Sequence, residues 1–174
     1  EFTDEESLGG AKMHSTVSCV SDYMAAYELD GIRIAREVLE YLKSETRNQK
    51  TEVNEPEFDK EEILGVVSAD VRIPFEQREL IARIVDDSQF HEFKPLFGST
   101  LITGYANIDG YRIGILANNG VLFPDASNKG AKFIQLCNQN NTPILFLPNI
   151  TGFMVGKKSE EEGIIKQGAT LLNA

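Results

Sequence analysis

Ile144-Leu145-Phe146-Leu147-Pro148-Asn149-Ile150-Thr151-Gly152-Phe153-Met154-Val155-Gly156 is the stretch on which the fold turns. Residues 144–147 are too few and too apolar for anything but a buried strand, and they feed a turn with two glycines. A helix is predicted beyond it, from about residue 161 to residue 172. Strand, glycine turn and helix is ordinary α/β order and suits a plain structural turn. It is also the layout of a ligand-facing loop. Gly152 and Gly156 allow backbone conformations and close approaches that a Cβ would obstruct, so main-chain N–H groups can face a ligand. A helix start adds partial positive charge there.

Outward from this stretch, Asp125 or Ser127 begins a helix to about residue 140, with Gly130, Phe133, Ile134 and Cys137 on one face. Residues 100–108 and 111–116 are β-rich and joined by Asp109-Gly110, a pair that favours a tight two-residue hairpin. Residues 90–97 read as another strand-like run. Pro74 suits the first turn of a helix whose apolar face is Phe75, Leu80, Ile81, Ile84 and Val85. Hairpin, helix, strand, glycine loop and helix make a ββα unit and the beginning of another. On pattern alone the class is α/β with a mixed sheet.

Residues 44–62 lose the apolar pattern and read as a linker at a domain boundary. Before them, Asp30 is a plausible N-cap for a helix over 31–42 whose stripe of Ile32, Ala35, Val38, Leu39 and Leu42 must pack on something. Residues 8–23 read as an irregular segment followed by a short helix. Ser18 and Ser21 lack a His or Asp arrangement that would activate a nucleophile. His14 reads as a surface or packing residue.

The 174 residues suffice for one domain of common size. No apolar run approaches the roughly 20 residues that span a bilayer, and the acidic start does not suit a signal or transit peptide. Cys19 and Cys137, like His14 and His91, have no metal-ligand spacing, so neither a metal site nor a disulfide framework is expected and a reducing compartment fits better. Of the net charge of −10, the whole excess lies in residues 1–70, with 17 acidic and 7 basic residues; residues 71–174 hold 10 of each. Nucleic acid needs a concentrated basic face and is not an expected partner. The neutral second part tolerates an anionic ligand.

Asn118-Asn119-Gly120-Val121-Leu122-Phe123, then Lys129-Gly130-Ala131 with Phe133-Ile134-Gln135-Leu136-Cys137, then residues 149–156 resemble, in that order and spacing, the carboxyltransferase (β) subunit of biotin-dependent acyl-CoA carboxylases. The methylcrotonoyl-CoA carboxylase branch is the most similar. The likeness runs back through Arg83-Ile84-Val85-Asp86 and Glu92-Phe93-Lys94 to Leu8-Gly9-Gly10-Ala11. It implies a crotonase-like (ClpP/crotonase) α/β fold, a partial ββα spiral. Residues 1–43 would be the tail of the N-terminal carboxyltransferase domain, 44–62 the linker and 63–174 the first part of the C-terminal domain.

The resemblance further implies an enzyme component of the ligase class that moves a carboxyl group from carboxybiotin to an acyl-CoA, 3-methylcrotonoyl-CoA of leucine degradation first, with propionyl-CoA or geranyl-CoA as alternatives. Biotin, carried on an α subunit, would itself be the base, and main-chain N–H groups would hold the developing charges. The loop main chain of Phe153, Met154, Val155 and Gly156 is the candidate biotin-facing element. Gly152, Asn118, Asn119 and Gly120 are candidate substrate contacts, the amides either binding or merely closing a turn. Phe93 and Lys94 are candidates for coenzyme A, against ordinary core or surface roles; Lys157 and Lys158 either meet its phosphates or are solvated. The glycine-rich oxyanion turns of the family lie outside this segment, so the isolated segment is expected to be inactive. Cys19 stands where the family pattern more often has Gly. Several β subunits would assemble, in the mitochondrial matrix of a eukaryote or the cytoplasm of a bacterium. Two other readings are a non-catalytic fragment that binds CoA or a subunit, and a hydratase or isomerase using a carboxylate among Glu160, Glu161 and Glu162. Those acids more simply stabilise a helix start.

Overall fold

The computed structural model describes residues 3–42, 50–70, 73–150 and 152–174. Its helices are α1 (Glu5–Gly9), α2 (Ala11–Thr16), α3 (Glu28–Leu42), α4 (Ile63–Val66), α5 (Gln77–Ile81), α6 (Pro124–Gln139), α7 (Lys157–Glu161) and α8 (Ile164–Leu172). The strands β1 (His91–Glu92), β2 (Leu101–Ile108), β3 (Tyr111–Asn118) and β4 (Ile144–Leu147) form one sheet in the order β1-β2-β3-β4.

The hairpin predicted at Asp109-Gly110 is present, with Leu101 opposite Asn118 and Ile108 opposite Tyr111. Asp109 and Gly110 have φ of 51° and 74°, the paired left-handed conformations that match a two-residue turn to the strand twist. One carboxylate holds both turn amides: Asp86 accepts the N–H of Asp109 at 2.9 Å and of Gly110 at 2.7 Å. β4 pairs parallel with β3, and α6 makes the crossover that a parallel pair requires. Pro124 opens α6 where its missing N–H costs nothing.

Side chains alternate along the strands, so each face has its own core. Ile102, Ala106, Ile115 and Ala117 pack with Ile81 and Val85 on one face. Leu101 and Leu116 pack with Leu122, Ala126 and Leu171 on the other. Phe93, Phe133 and Cys137 close the end of the α6 layer. Gly130 lets α6 approach both neighbours, since a Cβ there would stand 2.8 Å from Leu101 Cδ2 and from Leu171 Cδ1.

Several local expectations are corrected. In residues 8–23 the order is reversed: α1 and α2 come first and the irregular stretch follows. α3 starts at Glu28, and Asp30 lies within its first turn, accepting the Ala26 N–H at 3.0 Å. Ile32 and Leu39 are exposed at 57% and 62%. The docked side of α3 instead carries Tyr41, which stacks on His91 and Tyr105 at 4.9 and 6.0 Å between centroids. Arg112 donates to the Tyr41 carbonyl at 2.5 Å, a cation placed at a helix C-terminus. The helix expected from Pro74 begins at Gln77, capped by the Glu76 carboxylate. The run 90–97 is a strand only over β1, because Lys94 turns left-handed at φ 50° and Phe97 N–H closes back on its carbonyl. β4 lies at a sheet edge with Phe146 53% exposed. The final helix is two, broken at Gly163 with φ 83°: Glu160 stands in the first turn of the short α7, Glu161 ends it and Glu162 is its C-cap. Of the expected linker, residues 43–49 lie outside the described residues. Residues 50–62 are not free: Thr51 N–H donates to the Gly110 carbonyl at 2.9 Å, Asn54 to Asp87 at 3.0 Å and Glu57 N–H to Ser88 Oγ at 2.9 Å.

Gly104 sits where β2 passes beneath β1. An added Cβ would meet the Phe90 ring at 2.6 Å and the His91 carbonyl closer still. Gly104→Ala is expected to destabilise the chain by about 1–3 kcal/mol, read as a lowered midpoint in urea unfolding.

Candidate functional site

Because β3 and β4 are parallel, the chain leaves both at the same end of the sheet, the position where open α/β sheets present a crevice. The two exits meet again beyond it. Leu122 and Phe153 form a parallel bridge, and Met154 N–H donates to the Leu122 carbonyl at 2.8 Å. Gly152 and Gly156 have φ of 148° and 136°, with nothing within 4 Å of where a Cβ would stand. Glycine is therefore required by the backbone conformation and not by a crowding neighbour. Gly156 also caps α7 without any side-chain hydrogen bond. The Phe153 ring lies against Gly168 of α8, where a Cβ would be 3.3 Å from it. Between loop and helix is an apolar groove of about 380 Å³ lined by Phe153, Met154, Val155, Ile164, Gly168 and Leu172.

The candidates 153–156 are thus one continuous loop over a groove. The Met154 amide is the one that anchors the loop to Leu122; Val155 stands out at 82% exposure. Thr151 lies outside the described residues. At the end of β3, Asn118 is buried and its Nδ2 has no partner. Asn119 is committed to structure: Oδ1 accepts the Gln77 N–H at 3.2 Å, Nδ2 donates to Glu76 Oε2 at 3.0 Å and its N–H donates to the Thr100 carbonyl at 2.9 Å. Gly120 follows with φ 152°.

Phe93 and Lys94 are used inside the chain. Phe93 is a core ring 5.8 Å from Phe133. Lys94 is 3% exposed, donates to the carbonyls of Cys19 and Ser21 at 2.9 and 3.3 Å and pairs with Asp22, so its ammonium is taken. Lys157 and Lys158 are almost fully exposed, each 3.8 Å from a glutamate one turn on.

A polar cluster was missed. Arg78 grips Glu92 with two bonds of 2.8 Å and touches Glu76 at 2.9 Å. These bonds, the Glu92 pair foremost, raise the Arg78 pKa against the opposing effect of burial. Burial works against the Glu76 charge, but bonds from Asn119 and Arg78 outweigh it and hold the carboxyl below its usual range. Lys129, wholly buried, points its Nζ to within 4.0 Å of Glu92 without a hydrogen bond. Its spacing gave a signal: it stands four residues before Phe133 and three after Ala126, on the inward face of α6.

All 174 residues match the carboxyl transferase domain family. The chain belongs to that family. It is 54% identical over 176 residues to a probable biotin-dependent acyl-coenzyme A carboxylase β2 subunit of Mycobacterium tuberculosis, covering 100% of this chain and 33% of that protein. It is 46% identical over 176 residues to the mitochondrial methylcrotonoyl-CoA carboxylase β chain of Dictyostelium discoideum, covering 100% and 30%. Among solved structures, it is similar to the geranyl-CoA carboxylase β subunit of P. aeruginosa at 43% identity and TM-score 0.68, covering 99% of this chain and 34% of that one. It is also similar to a transcarboxylase 12S hexamer with methylmalonyl-coenzyme A bound, at 29% identity and TM-score 0.90, covering 99% and 35%. The fold is crotonase-like, as in these carboxyltransferase subunits. The chain spans about a third of the length of the relatives it matches.

Burial pulls the Lys129 pKa down from 10.5 to about 8, with Glu92 partly opposing it. Between those values the unfolded chain holds a proton that the folded chain lacks, so stability falls as pH drops through this window. Below it the full cost, on the order of 3 kcal/mol, is present. Lys129→Met is expected to raise the urea midpoint at pH 7 and to show a shrinking advantage towards pH 10.

Proposed function

We propose that the chain is part of a carboxyltransferase that moves a carboxyl group from biotin to an acyl-CoA, with 3-methylcrotonoyl-CoA as the preferred acceptor. The observation that carries this reading is the 152–156 loop, tied to Leu122 beyond the β3–β4 exit and opened by two left-handed glycines, in a chain of this family. Propionyl-CoA and geranyl-CoA are the alternative acceptors, in keeping with the names of other relatives.

The loop suits a biotin head group: an apolar groove for a ring, with main-chain donors beside it. Biotin, held on a partner subunit, supplies the activated carboxyl group. Phe153, Val155 and Gly156 would offer their N–H groups to it, Met154 would fix the loop through Leu122, and the Phe153 ring would cover an apolar face. The backbone at Gly152, with open space beside it, would admit the ligand. The Asn118 Nδ2 and Gly120 would border the acyl-CoA side, and the exposed Lys157 and Lys158 would be available to its phosphates. The oxyanion donors belong to parts of the polypeptide outside this segment.

Residues 1–43 belong in this reading to one carboxyltransferase domain and 63–174 to the next, with 44–62 as the link. The working enzyme is an oligomer of such subunits with a biotin-carrying α subunit. It resides in the matrix if the source is eukaryotic and in the cytoplasm if bacterial. The Dictyostelium relative is named as mitochondrial.

The test is carboxyl transfer by the full polypeptide carrying this segment, with its biotin-bearing partner. 3-Methylcrotonoyl-CoA is expected to give the highest kcat/KM of the three acceptors, and no transfer to any of them would end the reading. Gly156→Val, which forces a side chain onto a left-handed backbone, is expected to lower kcat about 10²-fold by misplacing the loop.

A further inference from the structure

The bridge at Leu122 sets where the loop lies, and Leu122 is only three residues from Asn119. Asn119 is fixed in three directions, by Thr100 through its N–H, by the Gln77 amide through Oδ1 and by Glu76 through Nδ2. Three peptide units, one of them at Gly120 with φ 152°, connect the clamped Asn119 to Leu122, which is itself buried against Leu101, Leu116 and Ala126. The Leu122 carbonyl receives the Met154 N–H at 2.8 Å.

The clamp has its own support. Glu76 accepts from Asn119 with one oxygen and from Arg78 with the other. Arg78 turns its remaining edge to Glu92 in a planar two-bond pair, a geometry that fixes direction as well as distance. Glu92 is in turn 4.0 Å from the buried Lys129 ammonium of α6. An unbroken line of contacts therefore runs from α6 through β1 and the start of α5 to the end of β3 and on to the loop. Of the five side chains in this line, only Lys129 lies wholly within the core; Glu76, Arg78, Glu92 and Asn119 are not part of the apolar clusters. What they share is the position of one carbonyl.

We propose that Glu76, Arg78 and Glu92, acting through Asn119, are positioning residues for the 152–156 loop and so set its affinity for the biotin head group. This rests on the carboxyltransferase reading above. An exposed ion pair would contribute little by itself; the value of this one is in geometry.

The experiment uses the full polypeptide with its biotin-bearing partner and the variants Glu76→Ala, Asn119→Ala and Glu76→Gln. The two alanine variants are expected to lower kcat/KM for the biotin-bearing partner about 10- to 100-fold, with the KM for acyl-CoA within about twofold of wild type. Glu76→Gln keeps an acceptor for Asn119 Nδ2 and is expected to recover most of the loss. Hydrogen exchange gives a readout independent of turnover: Met154 N–H should exchange about tenfold faster in Glu76→Ala, with β2 and β3 amides unchanged. Wild-type exchange at Met154 in both alanine variants would overturn the proposal, as would a loss shared equally with acyl-CoA or absence of rescue by Gln. A wild-type protein that transfers no carboxyl group would overturn the functional reading instead, and the exchange comparison would then decide the positioning role alone.

Discussion

Everything in this structure depends on the register of the β2–β3 hairpin, and that register is held by one carboxylate. Asp86 takes the two amide N–H groups of Asp109 and Gly110, so the turn can form at that pair and at no neighbouring one without leaving donors unsatisfied. Away from the turn, over residues 101–104 and 114–118, both strands are buried on both faces. A slip of one residue would exchange Leu101 and Leu116 with Ile102 and Ile115 and put each set against the wrong helix layer. Thr51 and Lys50 press on the same turn from outside, through the Gly110 carbonyl and the Asp109 side chain. The segment expected to be a linker thus contacts the hairpin turn through Lys50 and Thr51.

A fixed hairpin fixes the loop. β4 can join β3 only in parallel, because α6 occupies the return path and needs the length of the sheet. Parallel pairing sends both chains out at one end, where Leu122 and Phe153 rejoin. The candidate loop is thus a product of topology, and the direction of its main chain follows from glycine φ angles and from the Leu122 contact.

That is also why the fold was more legible than the site. Asp109-Gly110, the apolar run at 144–147 and the α6 face of Gly130, Phe133 and Cys137 each have a local chemical meaning: the turn and the helix face stand as expected, and the run is a strand, though at the sheet edge and only partly buried. Local meaning failed where tertiary contact decided. Of the expected α3 stripe of Ile32, Ala35, Val38, Leu39 and Leu42, Ile32, Ala35 and Leu39 are exposed, and the aromatic stack of Tyr41 on His91 and Tyr105 marks the docked side instead. Lys94, a candidate for coenzyme A as against an ordinary core or surface residue, is taken by three acceptors from residues 19–22, which no spacing along the chain predicts. Glu76, Arg78 and Glu92 were invisible as a set because 14 residues separate Arg78 from Glu92 and 43 separate Glu76 from Asn119. Only Lys129 left a trace, as a charge on a helical face otherwise apolar.

The two buried lysines show how the chain divides stability from function. Lys94 ties the segment around Cys19 to the sheet with every donor direction answered, so its burial is compensated. Lys129 is not compensated to the same degree: it has one carboxylate at 4.0 Å and no hydrogen bond, and burial lowers its pKa. A hydrophobic residue of similar length would fill the same space at less cost. Its placement makes sense if the Glu92 end of the Arg78 pair needs a cation behind it. Arg78 is partly exposed and fixes the direction of Glu92 from one side; a second, wholly buried cation stands 4.0 Å from Glu92 on the α6 side. The cost is carried in the core, and the benefit appears at the far end of the line, where one carbonyl and one amide decide how the loop is held.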